Sequence, residues 1–206
     1  MNNKIAILLF SATTLLFASS AFAFYTVQDT GDLLAPDQMA VGASLQGMTA
    51  GPVHGVNILG HLDKGLTDTS NLRFEAGSGA TDAVLGGYYK WVPFPDYQDQ
   101  PAVGFIMGGQ YAHYQGAGEI AARFTPIASK KFEIHSDQAN GTITPYVALP
   151  IAIANYNSST LFPVQITLGA KYHDDRVKVC DFLAELDFDV NQAPNSIVLG
   201  VQFAPF

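Results

Sequence analysis

Cysteine is almost missing: Cys180 stands alone in 206 residues. No intrachain disulfide can form, so stability must come from the packed chain itself. Charge is also scarce, at 14% of residues, and leans acidic, with 10 Lys and Arg against 18 Asp and Glu for a net charge of −8. Nucleic-acid binders carry a basic stripe, so no nucleic-acid partner is expected. Beyond the first two dozen residues no uninterrupted apolar run is long enough for a membrane-spanning helix. A mature chain that enters a membrane must then cross it as a closed barrel, the one strand architecture that satisfies every backbone group internally. No low-complexity tract and no second domain stands out.

The N-terminal stretch is the exception. Lys4 supplies a positive start, residues 5–17 are apolar, and Ala21-Phe22-Ala23 forms a small-x-small cleavage site. This is the pattern of a cleaved secretory signal peptide over residues 1–23, too short in its apolar part for an anchor. No cysteine lies near the site to carry a lipid anchor. The mature chain is expected to begin at Phe24, with residues 24–37 as an extended periplasmic leader broken by Gly31 and Pro36.

From residue 38 onward the chain reads as strands separated by turns. Segments of strand character fall at residues 38–48, 53–63, 71–77, 83–92, 102–114, 119–134, 142–154, 163–173, 177–188 and 196–206. In several of them apolar and polar residues alternate with period 2. Leu72, Phe74 and Ala76 oppose Arg73 and Glu75; Phe182, Ala184, Leu186 and Phe188 oppose Asp181, Glu185 and Asp187. Pro126 predicts a bulge or bend in its segment. Pro145 and Pro150 fit a flat central strand poorly, and residues 93–101 are too proline-rich to be a strand at all. Residues 155–162 read as a connection.

The chain closes on Ile197, Leu199, Val201 and Phe203 along one face, followed by Ala204-Pro205-Phe206. This ending resembles the last strand of bacterial outer-membrane β-barrel proteins, which typically finishes on Phe and serves as the assembly signal. Pro205 departs from the usual alternating aromatic ending. The resemblance implies an all-β fold, an antiparallel up-and-down transmembrane β-barrel over residues 38–206. Ten strands are expected, with eight and twelve as the neighbouring even counts. It implies an outer-membrane location and, as partners, outer-membrane lipids and the barrel-assembly machinery. Phe203 and Phe206 would carry the signal, and residues 196–206 would pair with the first strand to close the barrel. Tyr88, Tyr89, Trp91, Phe94, Tyr114 and Tyr172 fall near strand ends, where an interfacial girdle is expected.

Projecting the polar faces inward gathers Asp63, Arg73, Glu75, Lys90, Glu119, Arg123, Lys171, Asp181, Glu185 and Asp187 in the lumen, with Asn57, His61, Gln110 and His173 beside them. Charges of both signs in a narrow space are expected to pair. A barrel of about ten strands lies near the size that side chains fill, so the lumen should be a stiffening charge network or a narrow water path. The connections on the outer side are short, which argues against a plug formed from them and against an adhesin. Two other readings stay open: a soluble periplasmic lipocalin-like barrel with its aliphatic faces turned inward around an apolar ligand, and a lipid-modifying outer-membrane enzyme. For the enzyme, His54, His113, Ser158 and Ser159 carry no local catalytic motif. The five histidines are scattered without ligand spacing, so neither a metal nor another cofactor is expected.

Overall fold

The computed structural model of the chain describes residues 26–50, 54–114, 116–135 and 140–206. The expected signal peptide, and Phe24 and Tyr25 of the leader, lie outside the described residues.

Strands follow one another as β1 (Met39–Ala50), β2 (Gly55–Thr67), β3 (Ser70–Gly79), β4 (Ala83–Phe94), β5 (Ala102–Tyr114), β6 (Ala117–Ser129), β7 (Phe132–His135), β8 (Asn140–Ala148), β9 (Ile151–Tyr156), β10 (Ser159–Leu161), β11 (Val164–Asp174), β12 (Cys180–Asn191) and β13 (Asn195–Phe203). Every pairing is antiparallel, and β13 returns to β1, with Leu199 opposite Leu45 and Gly200 opposite Ser44. The sheet therefore closes. Three of its ten staves are broken strands: β6 continues into β7, β8 into β9, and β10 into β11, both of which pair with β9. The expected count of ten and the expected seam both hold.

Period-2 alternation sets the two faces of the wall. Along β2, Asn57, Leu59, His61 and Asp63 are buried while Val56 and Ile58 are exposed. Along β12, Leu183, Glu185 and Asp187 are buried while Phe182, Leu186 and Phe188 face out. The outer surface is thus a continuous apolar jacket, and most of the charge carried by the strands lies within. This polarity is opposite to that of a soluble lipocalin-like barrel, whose aliphatic faces would point inward.

Prolines and turns shape the wall differently from the sequence reading. β6 runs without interruption through Pro126, which sits opposite Phe105. The break comes at Lys130-Lys131, and on the neighbouring stave at Leu149-Pro150. There Leu149 N–H still donates to Pro126 O at 3.1 Å, and Pro150 O accepts from Gln165 N–H at 3.0 Å. The interruption thus sits where proline removes a ladder donor, and the remaining groups find new partners. Pro145 is accommodated inside β8 opposite Ala170. Residues 155–162 are not a simple connection. Asn157 and Ser158 take positive φ of 48° and 67°, the signature of a tight two-residue hairpin turn joining β9 to β10. The proline-rich connection after β4 is tied down by Lys130 Nζ and Lys131 N–H, bonded to the Asp96 carboxylate at 2.6 and 2.8 Å.

Candidate functional site in the barrel lumen

Residues 26–34 do not trail away from the barrel as an extended leader would. They run from the start of β1 into its lumen, where Thr26, Val27, Gln28, Thr30 and Gly31 are buried. None of residues 26–38 belongs to a strand. Next to β1, Asp37 and Gln38 bond backbone to backbone with Gly65 of β2, whereas from residue 26 to residue 32 side chains projecting from the wall meet the backbone groups, as buried polar groups require.

Arg123 Nη1 donates to Thr26 O at 2.8 Å, and Arg73 Nη1 donates to Val27 O at 3.0 Å and Gln28 O at 3.2 Å. The Glu185 carboxylate accepts from Val27 N–H at 2.9 Å and Gln28 N–H at 2.6 Å. Lower down, Ser129 Oγ accepts from Gly31 N–H at 2.8 Å. Lys90 Nζ donates to Thr30 O at 3.2 Å and Asp32 O at 2.7 Å. Five staves hold one irregular segment: β3, β4, β6 and β12 contribute these contacts, and Ser44 of β1 accepts from Gln28 Nε2 at 2.8 Å.

Charge adds a second layer. Asp29 of the leader meets Lys90 at 2.7 Å and Arg73 at 3.7 Å. Asp32 is bonded to Lys171 and lies 3.4 Å from Lys131. Burial alone would raise the Asp32 carboxyl, but Lys171, by charge and hydrogen bond, with Lys131 and Lys90 behind it, holds it below the ordinary carboxylate range. A polar cavity of about 250 Å³ remains beside the leader, lined among others by Asp29, Asp32, Lys90, Lys131, Lys171 and Asp181. Val27 closes the apolar side of the contact, packed with Tyr88, Ile106, Ile127, Tyr146 and Ala148.

The ten charged residues projected into the lumen do not make one network of ion pairs. Asp63 and Arg73 meet directly in a two-pronged pair, at 2.6 Å through Nε and 2.8 Å through Nη2, and Lys171 lies 4.0 Å from Asp181. Lys90, Arg123 and Glu185 turn to the leader, and Lys171 and Arg73 reach it as well, through Asp32 and through the carbonyls of Val27 and Gln28. Glu185 also accepts from Tyr146 at 2.7 Å, and Arg123 lies over the Tyr88 ring, 4.1 Å from its centre. Asp187 is held by hydroxyls rather than a cation, accepting from Thr167 at 2.6 Å and Ser196 at 2.5 Å. Glu75 is half-buried opposite His61. Glu119 is 2% exposed, and neither carboxylate oxygen has a hydrogen-bond partner among the described residues.

Sequence reasoning missed the main occupant of the lumen. The leader carries no strand alternation, and its acids, Asp29 and Asp32, look like ordinary solvated charges. Tyr88 is also corrected: it leaves the expected girdle and turns inward, 2% exposed, donating to Gln110 Oε1 at 2.8 Å. Tyr89, Trp91 and Phe94 do face outward. At the seam, Phe203 is exposed opposite Cys180. The backbone of Phe206 rejoins β1 through paired bonds with Met39 at 2.9 and 3.0 Å, on the far side of the break that Pro205 makes. At the opposite end of the barrel, His113 Nδ1 lies 3.2 Å from the Asp82 carboxylate, with His113 half-buried and Asp82 exposed. No group of His, Cys, Asp and Glu suited to a metal occurs among the described residues.

The sequence matches no family model and no curated protein. Among solved structures it is similar to the N-terminal β-barrel domain of Pseudomonas aeruginosa OprF, at 14% identity and a TM-score of 0.33, over 84% of this chain and 100% of that one. Closed, antiparallel, apolar on the outside and charged within, the chain has the fold of a small outer-membrane β-barrel.

Proposed function

We propose that this chain is a structural element of the bacterial outer membrane, a non-catalytic barrel whose lumen its own leader closes. The observation that carries this reading is the inverted polarity of the wall around a filled interior. Leu45, Ile58, Phe74, Leu85, Ile120, Ile153 and Leu199 are exposed, while Arg73, Lys90, Arg123 and Glu185 are buried. In water such a jacket would be an aggregation hazard, whereas in hydrocarbon it is the stable arrangement. Outer-membrane lipids are the partner this surface fits. Phe203 and Phe206 are the residues we assign to recognition by the barrel-assembly machinery, and residues 1–23 to export.

The narrow-pore reading takes second place, because the leader lies where water would pass. Two measurements test the proposal. Recovery in the outer-membrane fraction with heat-modifiable migration on unboiled gels is expected, and a fully soluble periplasmic product would sink it. In planar bilayers the intact protein is expected to be silent. Steady conductance would mean that the leader does not close the path.

A further inference from the structure

We propose that the lumen is a binding site for an extended acidic peptide, and that the leader is its resident, exchangeable occupant. The leader behaves as a guest in the wall. Between residues 26 and 38 it belongs to no strand: side chains converging from separate staves hold residues 26–32, and next to β1 the backbone of Asp37 and Gln38 bonds to Gly65 of β2. Arg123, Arg73 and Lys90 grip the carbonyls of Thr26, Val27, Gln28, Thr30 and Asp32, while Glu185 and Ser129 grip the amides of Val27, Gln28 and Gly31. Contacts of this kind recognise an extended backbone whatever its side chains, as in other modes of peptide recognition.

Selectivity comes from four positions. Val27 fills the apolar pocket between Tyr88 and Tyr146. Asp29 meets Lys90 and Arg73, and Asp32 meets Lys171 and Lys131. At Gly31 an added Cβ would stand 2.3 Å from the Ala102 Cβ, so no larger residue fits there without moving the wall. The lumen therefore selects a small apolar residue, then Asp two positions on, Gly four on and Asp five on. The tether is short and exposed from Ala35 to Gln38, with the backbone of Asp37 and Gln38 bonded to Gly65 of β2, so a cleavage site there is best carried by a few inserted residues.

This inference rests on the closed-lumen reading but not on the membrane location. A protease site inserted within residues 35–38 of the full chain allows the folded protein to be cut in detergent, leaving the leader held without a covalent link. A labelled synthetic peptide of residues 26–35 is then added. We expect it to replace the cut leader while the barrel keeps its heat-modifiable migration. Competitor peptides carrying Asp29→Asn with Asp32→Asn, or Gly31→Val, should compete at least tenfold less well than the native one. Equal competition by native and substituted peptides would overturn the selectivity. A leader that never exchanges, or a barrel that unfolds once cut, would overturn the guest relation and make the leader a fixed part of the wall. Conductance of the uncut protein fails independently of these outcomes and bears on the closed-lumen reading alone.

Discussion

Glu185 is where wall and leader depend on each other most. Its carboxylate serves Val27 N–H, Gln28 N–H and the Tyr146 hydroxyl at once. Glu185→Ala leaves three buried donors without that acceptor, each orphan costing about 1–3 kcal/mol. The urea midpoint for loss of the heat-modifiable form should fall clearly, and residues 26–35 should become open to protease before the barrel unfolds. An unchanged midpoint would mean that the leader contributes nothing to stability. Asp32 makes a pH prediction of definite sign. A carboxyl depressed in the folded state adds stability that is complete above its unfolded pKa of about 4 and is lost as pH falls through its lower folded value. Pepsin cleavage of the leader should accordingly stay slow at about pH 4 and accelerate only in stronger acid. Release already at about pH 5 would contradict the Lys171 pairing.

Among the elements, β13 and β11 carry the clearest tests. The seam is made by β13 on β1, extended past Pro205 by the paired backbone bonds between Phe206 and Met39. Deletion of Phe206 should impair membrane assembly while leaving secretion across the inner membrane nearly unchanged, read as the ratio of folded outer-membrane to periplasmic protein. Normal assembly would remove the signal role from this residue. On β11, Gly169 lies under the ring of Tyr146, so that a Cβ there would come 2.2 Å from the ring. Gly169→Ala must displace Tyr146 from Glu185, and overpacking of this sort costs about 1–3 kcal/mol. A lower urea midpoint with an otherwise unchanged barrel is expected.

For the whole molecule, the division between what local sequence says and what assembly decides is sharp. Strand alternation, the even count of ten staves and the inward projection of Asp63, Arg73, Glu185 and Asp187 were legible, because the side-chain period of a strand depends only on its own backbone. Tyr88 was misplaced because a ring near a strand end can belong to either face, and its inward register shows only in the pairing with Arg73 and Gly108. The leader was unreadable for a stronger reason. Its polar run has no period, and its place depends on Arg73, Lys90, Arg123, Lys171 and Glu185 converging from staves up to 112 positions apart in sequence, Arg73 to Glu185. Local residue order is enough to make strands with one apolar and one polar face. Only closure of the sheet decided which charges meet, and that the segment before β1 fills the space between them, because a lumen exists only once β13 has found β1.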